Sequence, residues 1–150
     1  MENIEANIKQ DLINNFPFLN DKVRIQRDRR IYVEVDYADF TKVFEYAIQK
    51  LNFAFLCTIT GLDEGDKISF LYHITTQSGI VLNIKTGVPK DNPVLKTIIG
   101  YFPGAEIYER ELEDLLGVKV EGLPEGKRYP LPDDWPKDQY PLRKDWKPNA

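Results

Sequence analysis

The stretch FAFLCTITGLDEGDKISFLYHITTQSGIVLNIKTG, residues 53–87, holds three strand-like runs separated by two turn signals. Phe53 to Thr60 is apolar on both faces, with Phe53, Phe55, Cys57 and Ile59 set against Ala54 and Leu56, the pattern of a central strand. Gly61 to Asp66 reads as a turn, and Lys67 to Thr75 and Ile80 to Lys85 read as a hairpin across the loop TQSG. Upstream, Lys22 to Gln26 puts Val23 and Ile25 on one face. Arg30 to Asp36 sets Ile31, Val33 and Val35 against Tyr32, Glu34 and Asp36. These two runs predict a hairpin about Asp28-Arg29, without the glycine that a tight turn of this kind prefers.

Helical periodicity fills the intervals. Ile4, Ile8, Leu12 and Phe16 recur every fourth residue until Pro17 stops the run. A second helix, capped by Asp39 or Thr41, carries the stripe Phe40, Val43, Phe44, Ala47, Ile48 and Leu51. A third is predicted from an Asp91 or Asn92 cap through Pro93, Val94, Leu95, Ile98 and Ile99, with Pro103-Gly104 as punctuation. A fourth spans Ala105 to Leu116 and ends at Gly117, where the chain needs a left-handed residue. Five strands with helices between and after them predict an α+β fold: a two-layer sandwich of a mixed, mainly antiparallel sheet and helices. The compact domain is placed at 1–116 and an extended arm at 117–150.

Composition narrows the function. One hundred and fifty residues, 42% apolar, suffice for a single domain with a real core. The net charge of −4 does not suit a molecule built to neutralise a phosphate backbone. The longest apolar run, Phe53 to Cys57, is far short of the roughly 20 residues of a membrane span. The polar start MENIEANIKQDL does not resemble a signal peptide, so a cytoplasmic place is expected, with membrane association through a partner. A single cysteine and a single histidine supply no set of ligands for zinc or an iron–sulfur cluster. No dinucleotide or P-loop signature is present.

The arm carries six of the ten prolines and both tryptophans, Trp135 and Trp146, with Tyr129 and Tyr140 between and before them. Proline lowers the entropy of the free chain, and Trp, Tyr and Arg are the side chains that anchor interfaces. The arm is expected to lie on another protein; folding back on its own sheet is the plainer alternative. Its seven basic and six acidic residues nearly cancel, which disfavours nucleic acid or a lipid surface. On the preceding helix, Glu106 with Arg110 and Arg110 with Asp114 fall at i,i+4 spacing. They form either a solvated ladder or a buried clamp on the following loop.

AEIYERELEDLLGVKVEG at 105–122, followed by LPDDWPKDQYPLRKDW at 131–146, closely resembles the signature of the thirty-kilodalton subunit family. That family belongs to complex I, the NADH–quinone oxidoreductase, and to energy-converting membrane-bound hydrogenases. The matching positions are Glu109, Arg110, Glu111, Asp114, Leu115 and Gly117, then Leu131, Pro132, Asp133, Asp134 and Trp135, then Pro141, Leu142, Arg143, Lys144 and Asp145. Tyr72 and His73 in LYHITTQSGIVLNIKTGVP resemble the family's sheet hairpin, so the likeness covers about residues 53–146. Gly122-Leu123-Pro124-Glu125 stands where complex I members carry a histidine motif, and Ile107 stands where a tryptophan is common; the loop looks more like the hydrogenase branch. The resemblance implies a cofactor-free subunit on the cytoplasmic side of a membrane complex. Such a subunit docks on a hydrogenase-like large subunit beside an iron–sulfur small subunit; the hydrogenase type would add a nickel–iron centre in a partner. The implied interface takes those motif residues except Leu115 and Leu131, together with Trp146.

Three other functions attach to particular residues. Glu109, Glu111 or Asp114 could form a catalytic carboxylate pair. Cys57 with His73 as nucleophile and base is weighed and rejected: nothing marks a third orienting group, and Cys57 is expected to be a small core residue and His73 a strand residue. Lys22, Arg24, Arg27, Arg29 and Arg30, five basic residues within nine, could meet nucleic acid or an acidic patch on a partner.

Overall fold

The computed structural model describes residues 3–148. In chain order the elements are α1 (Ile4–Asn15), a 3-10 turn (Pro17–Leu19), β1 (Val23–Arg27), β2 (Arg30–Glu34), α2 (Tyr37–Gln49), β3 (Phe55–Asp63), β4 (Lys67–Thr75), β5 (Val81–Pro89), β6 (Val94–Lys96), α3 (Ala105–Leu116) and β7 (Lys119–Glu121). The sheet of five strands has the order β1-β2-β5-β4-β3 and is mixed, mostly antiparallel, so the α+β expectation holds. β1 and β2 pair antiparallel, whereas β2 and β5 run parallel with Ile31 opposite Leu82 and Val33 opposite Ile84. Contacts divide the chain into two compact units, Met1–Thr58 with Leu71–Thr86, and Ile59–Phe70 with Gly87–Ala150. The residues from 117 on group with 59–70 and 87–116.

In the first unit, Asn3 caps α1 by accepting the Ala6 N–H at 3.1 Å, and Ile8 and Leu12 are buried. α2 buries Phe40, Val43, Phe44 and Ala47; the Phe40 ring lies 4.6 Å from that of Tyr72 on β4 and 5.1 Å from that of Phe44. Each such aromatic contributes about 1.5–3 kcal/mol by leaving water. This helix starts at Tyr37, ahead of the expected Asp39 or Thr41 cap, with Asp36 at the cap position and no side-chain bond there. The glycine-free β1–β2 turn is made by Arg29 itself, at φ 62.

The second unit buries Ile59, Ile68, Phe70, Leu95, Ile98, Leu112, Leu116, Val118 and Val120. Gly61 on β3 permits a close approach of α3: a Cβ there would stand 2.5 Å from Leu112 Cδ2 and from Leu116 Cδ1.

Three local expectations are corrected. Residues 94–96 are a strand and not part of a helix, paired in parallel with 119–121. Pro93 O accepts the Lys119 N–H at 2.9 Å, and Glu121 O accepts the Thr97 N–H at 2.9 Å. β-branched Val94 suits that extended backbone, and Thr97 and Ile98 just beyond it are poor helix formers for the same reason. β3, expected to be central, is an edge strand; Phe55 is 51% exposed, and Cys57, expected in the core, is exposed. Apolar residues on both of its faces are the pattern of a strand covered on both sides, and here only part of β3 is covered.

Candidate functional site

The motif carboxylates of α3 turn inward, onto the rest of the second unit. Glu109 is 1% exposed and joins α3 to the end of β6: it accepts hydrogen bonds from Thr97 Oγ1 at 2.5 Å and from the Ile98 N–H at 2.7 Å. Burial pushes its carboxyl above the usual range, with Glu113 adding to the rise, against the two hydrogen bonds. Further along the helix, Asp114 is 6% exposed and accepts from Arg128 Nε at 2.8 Å and from the Leu131 N–H at 2.7 Å. Arg128 then donates to Trp135 O at 2.9 Å, and Trp135 Nε1 donates to Gln139 O at 2.9 Å. Asp114 thus orders the segment through its guanidinium partner.

The helix end supplies the next attachment. Gly117 sits at φ 69, and a Cβ there would be 2.5 Å from the Tyr140 ring. Only a residue without a side chain lets Tyr140 lie so close. The Leu142 N–H donates to Leu115 O at 3.0 Å, and Arg143 Nε donates to Leu116 O at 2.7 Å, so carbonyls left over at the helix C-terminus find partners. Arg143 also lies 5.1 Å from the centre of the Tyr140 ring. At the far end, Asp63 on β3 accepts from Lys90 Nζ at 2.7 Å, the Lys144 N–H at 2.8 Å and the Gly65 N–H at 2.8 Å; Asp145 bonds the same lysine at 3.0 Å. Burial raises the Asp63 carboxyl, but the bonds from Lys90, Gly65 and Lys144 outweigh it and hold it down at about 2.

The remaining motif residues split by exposure. Arg110 bonds Glu106 at 2.8 Å and Pro124 O at 2.7 Å, not Asp114 as the i,i+4 spacing allowed. Glu111 is half-buried, as are Pro141, Trp135 and Trp146, the two indoles 5.9 Å apart. Pro132, Asp133, Asp134, Lys144 and Asp145 are exposed, and Leu142 is 53% exposed. Arg128, Asp63, Lys90 and Thr97 do as much as the motif residues, and reading the sequence misses them. Arg128 carries a signal, a lone arginine in the loop after α3; Asp63 and Lys90 meet the tail only through the fold. Glu109 and Asp114, two of the three candidate catalytic carboxylates, do not pair with each other: they spend their oxygens on different internal partners. Among the described residues no group of three or more His, Cys, Asp or Glu is placed to hold a metal ion, and no helix is long and apolar enough to cross a membrane.

Fold and site together define an α+β protein whose proline- and tryptophan-rich C-terminal segment is tied to its last helix by the buried Asp114 carboxylate and to β3 by that of Asp63, and is left partly uncovered outside. The chain belongs to the family described as respiratory-chain NADH dehydrogenase, 30 Kd subunit, whose model matches residues 33–150. It is 33% identical to a subunit of the F(420)H(2) dehydrogenase of Methanosarcina mazei over 93% of this chain and 89% of that protein. It is 34% identical to membrane-bound hydrogenase subunit beta of Pyrococcus furiosus over 79% of this chain and 70% of that one. A chain in the structure of the membrane-bound sulfane sulfur reductase, an archaeal respiratory membrane complex, superposes with a TM-score of 0.81 at 26% identity, covering 95% of this chain and 85% of that chain. A trypsin-resistant fragment of Nqo5 shares the fold, with a TM-score of 0.68 at 19% identity over 81% of this chain and 98% of that chain. These relatives are subunits of complex I-like and hydrogenase-like oxidoreductases.

Proposed function

We propose that this chain is a cofactor-free assembly subunit of a complex I-like or hydrogenase-like oxidoreductase. It docks on the hydrogenase-like large subunit beside the small subunit that holds an iron–sulfur cluster, with a nickel–iron centre in the partner if the complex is a hydrogenase. Its place is peripheral, on the cytoplasmic side of the membrane. Family membership and the named relatives support the class. The single observation that carries the docking role is the C-terminal segment itself. Asp114, Leu115, Leu116 and Asp63 hold it from inside, while Leu142 at 53% and Tyr129 at 43% exposure are presented to the outside. A backbone held by these bonds, with exposed apolar side chains, is a surface whose ordering cost is partly met before a partner arrives.

Affinity purification of the tagged chain from membranes of its own cells tests this. The large and iron–sulfur subunits should co-purify with oxidoreductase activity, and the isolated chain should have none. Leu142→Asp should lose the large subunit while keeping the thermal midpoint of the wild type. Turnover by the isolated chain, or a Leu142→Asp protein that assembles normally, sinks the proposal.

A further inference from the structure

We infer that the arginine-rich end of the β1–β2 hairpin is a second docking surface, taking a short acidic peptide segment of a partner protein. This rests on the chain being a subunit, but uses residues of the first unit only. Arg24, Arg27 and Arg29 are exposed and Arg30 is half-buried. Arg27, Asp28, Arg29, Arg30 and Gly79 surround one open concavity. Arg27 and Arg30 also border a neighbouring groove of about 410 Å³ with Cys57, Thr58, His73 and Asn83.

Two local conflicts coincide here. Arg27 and Arg30 are direct cross-strand partners, an arrangement that sets like charges opposite each other and weakens the hairpin. Neither guanidinium has an ion pair among the described residues. Next to them Arg29 occupies the left-handed region at φ 62, where glycine or asparagine is the ordinary choice. Its guanidinium reaches the β4–β5 loop, with Nη1 3.4 Å from where a Cβ on Gly79 would stand. Glu5 meets Arg29 through the backbone N–H, at 2.8 Å. A sequence selected for the hairpin alone would avoid both conflicts; an incoming anion relieves the charge conflict and gives the strained arginine a use.

Charge selects the occupant. The chain as a whole is at −4, which disfavours a long polyanion that must run beyond the patch, whereas a short acidic segment can stay within it. Guanidinium forks match carboxylates in two-bond geometry. The patch has no row of open aromatic faces for bases to stack on, since the Tyr32 ring already carries Arg24 at 4.3 Å.

Fluorescence anisotropy with the full chain and a labelled deca-glutamate peptide provides the test, alongside a single-stranded oligonucleotide and vesicles of phosphatidylcholine with phosphatidylglycerol. At about 50 mM salt, where surface charges are little screened, the peptide should bind, and Arg27→Glu/Arg30→Glu should weaken it at least tenfold. Arg29→Gly, which relieves the backbone and cannot fail to fold for that reason, should weaken it about threefold with an unchanged or raised thermal midpoint. Reversal of two exposed lysines elsewhere, Lys127→Glu/Lys147→Glu, should leave it within twofold. Equal loss in the lysine variant, no loss in the arginine variants, or tighter arginine-dependent binding of the oligonucleotide or vesicles overturns the inference. Each of these outcomes is separate from co-purification of the large subunit, which tests the docking of the C-terminal segment.

Discussion

Asp114 shows how much one carboxylate decides. Its two oxygens hold Arg128 at 2.7 Å and the Leu131 N–H at 2.7 Å, and Arg128 relays the contact to Trp135. Breaking a fully buried pair costs about 3–5 kcal/mol. The Arg128 side chain is 28% exposed, so water offsets part of that, and Asp114→Asn should cost about 2 kcal/mol in urea unfolding. Glu106→Gln breaks a pair whose carboxylate is 51% exposed and should change stability by less than about 0.5 kcal/mol. Equal effects of the two would mean that Asp114 is not the organiser of the loop. Acid should separate two other carboxylates. Asp63 titrates at about 2 in the folded chain, below the ~3.9 of an unfolded aspartate. Its contribution is therefore complete above about pH 4 and is lost as pH falls toward 2. Glu109 is shifted the other way by burial, so its share of stability falls as pH rises through the unfolded value toward the folded one. In pH-dependent unfolding, Asp63→Asn should flatten the loss below about pH 4, and Glu109→Gln should flatten the decline above the ordinary glutamate range.

Gly117 joins α3 to everything after it. Alanine at φ 69 costs about 1 kcal/mol for the backbone alone, and a Cβ 2.5 Å from Tyr140 must also displace that ring. Gly117→Ala should therefore lower stability by more than about 1 kcal/mol and speed limited proteolysis between residues 122 and 139; unchanged cleavage would show that Tyr140 does not hold the segment. At this scale the sequence is legible where an element is local. The α3 bounds Ala105–Leu116 with its glycine stop, the β4 bounds Lys67–Thr75 and the β1–β2 hairpin all follow from spacing and turn residues in one window. β6 is not legible, because it pairs with 119–121, on the far side of α3 in sequence, and Pro93 imitates a helix start. β3 misleads for a related reason: apolar residues on both faces say that a strand is coverable, not that this chain covers it. Within the site, α3 and the tail motifs announce themselves. Asp63 and Lys90 cannot, since nothing near them in sequence predicts the Lys144 amide.

At the level of the whole molecule the C-terminal segment has two separable duties, and removing it should reveal both. Truncation after Gly122 takes away the partners of the Asp114 carboxylate, of the Leu115 and Leu116 carbonyls and, through Lys144 and Asp145, part of the Asp63–Lys90 cluster. Asp114 is 6% exposed in the intact chain, and truncation removes its partners together with the segment that lies over it, so water takes their place. The truncated chain should still unfold at lower urea than the full one, because the contacts on the Leu115 and Leu116 carbonyls and on the Asp63–Lys90 cluster go with the Asp114 pair. It should also fail to co-purify with the large subunit. Leu142→Asp separates the duties, since its N–H still reaches Leu115 O and only its exposed side chain changes. Unfolding at the wild-type midpoint combined with lost assembly would assign the outward face to a partner and the inward face to this chain's own stability. A truncated chain as stable as the full one would instead make the contacts on α3 incidental, and the segment an arm in the simpler sense.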